Sequence, residues 1–86
     1  MTTIALTLIG KPGCHLCEDA RDTVNQVAAE YADRANITVE ELSILDDPEL
    51  HARHWEEIPV LLVNGKQHTY WRVDPTRLRQ ALQAAL

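Results

Sequence analysis

Cys14 and Cys17 are the only cysteines in the chain, and two residues separate them in the stretch G-K-P-G-C-H-L-C. Cysteines at this spacing can exchange disulfides as a redox pair, supply half of a zinc site, or close a structural disulfide. A structural role is disfavoured because two cysteines cannot build the disulfide framework of a small secreted protein. The elements around the pair must decide between the remaining uses.

The pair is predicted to lie where a strand leads into a helix. Residues 3–9 form a short apolar, β-branched run that Gly10 closes, as expected of a buried strand. From Cys14 onward apolar residues recur at helical spacing, at Cys17, Ala20, Val24, Val27, Ala28 and Tyr31. The positive end of the helix dipole favours the thiolate form of Cys14, although Glu18 and Asp19 oppose it. Cys17 belongs to the buried stripe and is predicted to be the resolving thiol.

Lys11 and His15 flank the first cysteine and can add positive charge beside it. An imidazolium next to a sulfur stabilises its thiolate, so His15 is a candidate partner of Cys14, with an ordinary exposed imidazole as the alternative. Lys11 is a candidate anchor for an anion, with a solvated turn lysine as the alternative.

The rest of the chain completes an α/β pattern. Its predicted elements are a strand over 37–44, a short helix from Pro48 to about Trp55, a strand over 59–63, a return strand over 66–71 and a helix after Asp74-Pro75. Asn64-Gly65 predicts a hairpin turn, and a change of apolar phase at Leu42 and Ile44 suggests a bulge. The order β-α-β-(short α)-β-β-α predicts one domain over 1–86 with a mixed four-stranded sheet.

Composition narrows the function further. The chain has 86 residues, a net charge of −5 and a pI of about 5.2, which argues against a nucleic-acid partner. No apolar segment reaches transmembrane length, and the N-terminus lacks the basic region of a signal peptide. We therefore expect a cytoplasmic protein without a membrane partner, and nothing in the sequence requires more than a monomer.

The chain resembles the glutaredoxins, the short branch of the thioredoxin fold. The resemblance rests on a strand followed by K-P-G-C-H-L-C, and on E-I-P-V-L-L-V-N-G downstream. It implies the minimal thioredoxin/glutaredoxin fold and thiol–disulfide oxidoreductase activity. It further implies that Pro59 is cis and lies opposite the nucleophilic Cys14, that the Ile58 backbone is free to pair with an extended substrate, and that Lys11 holds a glutathione carboxylate or stabilises the thiolate.

The sequence also departs from that family. C-H-L-C replaces the usual C-P-Y-C, so the sequence does not indicate the reduction potential of the cysteine pair. The Gly-Gly pair that binds glutathione after the hairpin is replaced by a segment containing Trp71 and Arg72. This replacement argues against glutathione binding, so the electron donor stays open between glutathione and a thioredoxin reductase. The expected partners are a protein or small-molecule disulfide and a thiol reductant, with no bound cofactor.

Two other functions remain as alternatives. One is a thioredoxin-fold binding module that holds a partner at the edge formed by Ile58, Pro59 and Trp71, with redox-idle cysteines. The other is a zinc domain in which His51 and His54 join the two cysteines. The H-x₂-H spacing is shorter than zinc sites use, and the short helix is expected on the opposite sheet face from Cys17, so the leading interpretation contains no metal.

Overall fold

The computed structural model describes residues 1–86. Its elements in chain order are β1 (Thr2–Gly10), α1 (His15–Glu30), β2 (Ala35–Ser43), α2 (Pro48–His54), β3 (Val60–Val63), β4 (Lys66–Tyr70) and α3 (Pro75–Ala85). This order confirms the predicted α/β fold class. None of the helices combines the length and apolar character needed to cross a membrane.

The four strands form one mixed sheet in the order β2-β1-β3-β4. β1 and β2 are parallel, whereas β3 runs antiparallel to both β1 and β4. The hairpin turn lies at Asn64-Gly65 as predicted, with positive φ angles of 51° and 83° that suit these two residue types. The C-terminal ends of β1, β2 and β4 therefore lie at the same end of the sheet as the start of β3.

The sheet separates two apolar clusters. The larger one joins alternate residues of β1 to the stripes of α1 and α3, and its fully buried members include Ile4, Leu6, Val24, Val27, Leu61, Leu78 and Leu82. The smaller one lies on the α2 face, where Ile9, Ile44 and Val60 pack with Leu42, Leu50, Ile58 and Leu62. Because α1 and α2 cover opposite faces, the two helices hold β1 between them and fix where its C-terminal end points.

These two clusters explain the phase change in β2, and the predicted bulge there is wrong. The pairing of β1 with β2 is uninterrupted from Thr2–Ala35 to Gly10–Ser43. Ala35 and Ile37 face the larger cluster, whereas Leu42 and Ile44 face the smaller one. Odd-numbered residues are buried in the first half of the segment and even-numbered residues in the second, because helices cover the two halves on different faces of the sheet. The sheet's register shift lies instead between Leu61 and Leu62 in β3.

The helix starts follow the predicted capping residues. Asp47 caps α2 by accepting from the Glu49 N–H at 2.9 Å, and Asp74 caps α3 by accepting from the Thr76 N–H at 2.8 Å. A proline follows each cap, at the position where a missing N–H costs nothing. α1 differs, because its capping residue is Cys14.

His68 on β4 makes stability depend on pH. Its Nε2 is shielded from water and has no hydrogen-bond partner. Burial, and then the charge of Arg77, lower the pKa of His68 below its usual 6.5. The unfolded chain therefore binds more protons than the folded one as the pH falls through 6.5, so stability is lost on acidification.

We expect the free energy of unfolding to decline more steeply in wild type than in His68→Gln between about pH 7 and pH 5, with a ceiling of about 1.4 kcal/mol per pH unit for one proton. Denaturant titrations across that range measure both slopes. Equal slopes in the two proteins would contradict this role of His68.

Candidate active site

The cysteine pair occupies the junction between β1 and α1. After Gly10 ends the strand, the loop turns at Gly13, whose φ of 74° is in the left-handed region that glycine adopts without strain. Cys14 is the N-cap of α1, and Cys17 lies in the first turn. The predicted placement at a strand–helix junction is confirmed.

Cys14 caps the helix through its sulfur. Its backbone is extended, with φ −101° and ψ 115°, and its Sγ accepts a hydrogen bond from the Cys17 backbone N–H at 3.2 Å. The side chain is partly exposed to solvent. A sulfur that accepts from a helix N–H is electrostatically favoured when it carries negative charge. Cys14 therefore carries the more accessible sulfur of the pair.

Cys17 has the opposite environment. Its side chain is 4% exposed and contributes to the buried face of α1. Burial, with a further contribution from its contact with Cys14, raises the pKa of the Cys17 thiol to about 11, although the Lys11 backbone N–H acts in the lowering direction. Both thiols are free. One sulfur of the pair can be approached from solvent, and the other is held as a protonated thiol behind it.

Alkylation should distinguish the two cysteines. With a pKa of about 11, only about one Cys17 in 1,000 is a thiolate at about pH 8. We expect iodoacetamide at that pH to label Cys14 alone in the folded protein, and both cysteines once the chain is unfolded. Peptide mapping by mass spectrometry assigns the label. Equal labelling of both cysteines in the folded state would contradict the asymmetry.

Gly10 contributes to the site in a way that the sequence did not reveal. A Cβ added at Gly10 would lie 2.8 Å from the Cys17 Sγ and 3.2 Å from the Cys17 Cβ. Real Cβ atoms do not approach other atoms as closely as the first distance. In the sequence Gly10 marks only the end of a strand. In the structure its missing side chain makes the space in which the Cys17 sulfur lies.

Pro59 lies next to the junction through the sheet. Ile9 pairs with Val60 in the antiparallel β1–β3 ladder. The same register places Pro59 opposite Gly10, where β1 leads into the cysteine loop. The Ile58–Pro59 peptide bond is cis. The expectation of a free Ile58 backbone needs correction, because the Ile58 N–H donates to the His54 carbonyl at 3.1 Å. The last turn of α2 uses this donor, which leaves the Ile58 carbonyl as the group available for pairing.

Trp71 connects the end of β4 to the segment before β3 through hydrogen bonds, a role that sequence reasoning missed. Its backbone N–H donates to the carbonyls of Pro59 at 2.8 Å and Glu57 at 3.2 Å. Its indole Nε1 donates to the Glu56 carbonyl at 2.9 Å. The sequence signal was weak, since an aromatic residue on an edge strand usually only packs.

Lys11 and His15 have different surroundings in the structure. Lys11 lines a cavity of about 310 Å³ together with Cys17 and the Arg21–Glu41 ion pair, whose Nε–Oε1 distance is 2.6 Å. The His15 side chain is 98% exposed, and its Nδ1 lies 3.8 Å from a Glu18 carboxylate oxygen. It forms no hydrogen bond with Cys14, so a contact between the two would require the imidazole to turn.

The structure does not assemble the Cys/His quartet of the zinc alternative. No three side chains of histidine, cysteine, aspartate or glutamate come together as a metal site. His54 instead hydrogen bonds to Glu57, with Nδ1 3.1 Å from Oε2, and His51 stacks on Trp55. Both histidines lie on α2, and α2 packs on the other face of the sheet from Cys17.

The chain belongs to the family described as the glutaredoxin-like domain (DUF836), whose model matches residues 5–83. The uncharacterized protein Rv0508 of Mycobacterium tuberculosis (strain ATCC 25618 / H37Rv) is 30% identical over 80 residues, which cover 92% of this chain and 82% of that protein. The X-ray structure of protein XcR50 from X. campestris is similar at 32% identity with a TM-score of 0.74, covering 94% of this chain and 99% of that one.

A more distant likeness supports the fold alone. Chloroplastic thioredoxin z superposes with a TM-score of 0.73 at 14% identity, covering 96% of this chain and 78% of that chain. The family membership and these neighbours together define a glutaredoxin-like domain of the thioredoxin fold.

Proposed function

We propose that the protein is a thiol–disulfide oxidoreductase that works through Cys14 and Cys17. The Cys14 thiolate attacks a substrate disulfide, forming a Cys14–substrate disulfide and releasing one substrate thiolate. The Cys17 thiol then loses its proton to the departing group and attacks the Cys14 Sγ, which releases the second substrate thiol. The substrate is reduced by two electrons, and the protein is left with a Cys14–Cys17 disulfide that an external thiol donor must reduce.

The observation that carries this proposal is the unequal environment of the two sulfurs. Cys14 is partly exposed and accepts a helix N–H, whereas Cys17 is buried behind it with a pKa raised to about 11. A buried protonated thiol is a poor first attacker, but it is suited to resolving an adduct that forms one helical turn away. The position at a strand–helix junction in a glutaredoxin-like domain supports the same roles.

The flanking residues supply substrate contacts in this proposal. Lys11 provides a cation in the cysteine loop, and the side chain of His15 is exposed enough to contact a bound substrate. Ile58 offers its carbonyl, and Pro59 places that group next to the end of β1. We propose no bound cofactor; a disulfide substrate and a thiol donor are the partners that this chemistry needs.

Turnover with two donor systems tests the proposal. The reduction of a small model disulfide is followed through NADPH consumption, once with glutathione and its reductase and once with thioredoxin reductase. We expect catalysis with one donor system and its loss in Cys14→Ser. Wild-type rates equal to the uncatalysed rate with both donors would overturn the proposal.

The rival class is a binding module with redox-idle cysteines. It is favoured by the exposed aromatic side chains of Trp55, Tyr70 and Trp71, which are about half exposed. The same turnover experiment separates the two functions, since a module with idle cysteines shows no rate above background with either donor.

A further inference from the structure

Trp71 has an unusual backbone for a bulky residue. Its φ is 66°, in the left-handed region, which is strained for a non-glycine residue and persists only where other contacts hold it. Three hydrogen bonds do so here, from the backbone N–H to Glu57 and Pro59 and from the indole to Glu56. The ring is nevertheless 54% exposed. A large apolar ring is therefore fixed in place with much of its surface facing solvent.

The fixed ring forms one wall of a half-open cavity beside the cysteine pair. The cavity has a volume of about 150 Å³ and lies between α1 and the segment that follows β4. Leu16 forms the facing apolar wall, and Asp19 and Arg72 contribute its polar parts. Neither cysteine lines the cavity, but Leu16 stands between Cys14 and Cys17 in the chain, so one wall of the cavity belongs to the cysteine motif.

The volume of this cavity limits what it can hold. Sites for small molecules usually enclose about 300–1,000 Å³, whereas a cavity of about 150 Å³ accommodates a group the size of benzene. A single leucine or phenylalanine side chain fits this space, and a whole tripeptide does not. The same end of the sheet also exposes other apolar side chains, namely Leu45 after β2 and Tyr70 at the end of β4.

The charge of the surroundings also favours one class of substrate. The segments 11–22 and 56–59 contain the carboxylates Glu18, Asp19, Asp22, Glu56 and Glu57 against the cations Lys11 and Arg21. Arg21 is already paired with Glu41, and Arg72 is the cation that the cavity adds. An acidic surface of this kind repels a small disulfide that carries net negative charge and attracts a neutral or basic polypeptide.

We propose that the cavity between Leu16 and Trp71 binds an apolar side chain next to the reacting cysteine of a polypeptide disulfide. This inference rests on the proposed function and names the substrate class of that site. Trp71 provides a preorganised wall, so binding does not have to order it. The Ile58 carbonyl remains the hydrogen-bond acceptor for the substrate backbone.

The first attack can be measured alone in the Cys17→Ser variant. Short capped peptides whose cysteine is joined to 2-thiopyridine release a chromophore when Cys14 attacks. The peptides carry leucine, phenylalanine or serine beside the cysteine, and the glutathione–thiopyridine disulfide serves as the anionic tripeptide. We expect the leucine and phenylalanine peptides to react about tenfold faster than the serine peptide, as expected for burying about half of a large apolar side chain.

A second variant assigns the preference to the cavity. In Leu16→Ser/Cys17→Ser the rate ratio of the leucine peptide to the serine peptide should fall towards one. The ratio corrects for any change in Cys14 reactivity that the new residue causes. Val39→Ala/Cys17→Ser is the matched control, because Val39 is also an exposed apolar residue but lies in the middle of the edge strand β2, and it should keep the ratio.

The outcomes separate this inference from the proposed function. Equal rates for all peptides, a ratio that Leu16→Ser leaves unchanged, or fastest reaction of the glutathione derivative would each overturn the polypeptide subsite while leaving disulfide exchange intact. No chromophore release from any compound would instead overturn the proposed function, and the subsite with it.

Discussion

Replacing Cys14 with serine should abolish disulfide turnover, with a loss of about 1,000-fold or more. A serine hydroxyl does not ionise near neutral pH and cannot form a mixed disulfide, so the first step of the exchange disappears. The steady-state rate with a model disulfide, in the donor system that supports wild type, measures this loss. The substitution is nearly isosteric at a partly exposed N-cap, and serine is itself a good capping residue. The fold should therefore survive.

Cys17→Ser is the matched control for that variant. It should retain the first attack on a disulfide and lose the step that releases the substrate, so a covalent adduct accumulates when no external thiol is added. Activity that survives in Cys14→Ser at a level comparable to wild type would show that Cys14 is not the nucleophile. Cys17 would then have to be reached from solvent in spite of its burial.

Gly10→Ala should have the largest effect on the site among substitutions outside the cysteines. The new methyl would lie 2.8 Å from the Cys17 sulfur, and overpacking of this kind costs about 1–3 kcal/mol of unfolding free energy. This exceeds the gain of about 0.4–1 kcal/mol that a glycine-to-alanine change brings by restricting the unfolded chain. Displacement of the sulfur should also slow the resolving step. Denaturant titration and single-turnover release of the second substrate thiol measure the two effects.

The contact is isolated by repeating the substitution without the sulfur. In a Cys17→Ala background the nearest atom to the new methyl is the Cβ of residue 17, 3.2 Å away, so Gly10→Ala should cost clearly less there. A coupling of about 0.5–3 kcal/mol between the two sites is the expected signature. The same cost in both backgrounds would show that the methyl meets something other than the Cys17 sulfur.

Local chemistry made much of the fold predictable. Asn64-Gly65 identifies the hairpin because both residues accept the positive φ that this turn requires, and Asp47-Pro48 and Asp74-Pro75 mark helix starts because each pair combines a capping oxygen with a missing N–H. The cysteine pair could be placed because the helical apolar stripe begins beside it. Each of these signals lies within a few residues of the feature that it predicts.

What the sequence did not reveal depends on contacts between distant residues. The phase change in β2 has two explanations, a bulge or burial on alternate faces, and only the positions of α1 and α2 decide between them. The sulfur of Cys17 against Gly10 and the hydrogen bonds from Trp71 to the segment before β3 likewise join separate parts of the chain. The use of the Ile58 N–H by α2 is the local exception, because its acceptor is the carbonyl of His54 four residues earlier, and the sequence does not mark where that helix ends.

In the proposed mechanism Cys14 attacks a disulfide and Cys17 resolves the adduct. Intact-mass analysis of Cys17→Ser after incubation with a peptide disulfide tests it most directly, with wild type treated in parallel. We expect one peptide adduct per Cys17→Ser chain, mapped to Cys14, and in wild type an intramolecular Cys14–Cys17 disulfide without lasting adduct. Absence of the adduct in Cys17→Ser, or an equally persistent adduct in wild type, would contradict it.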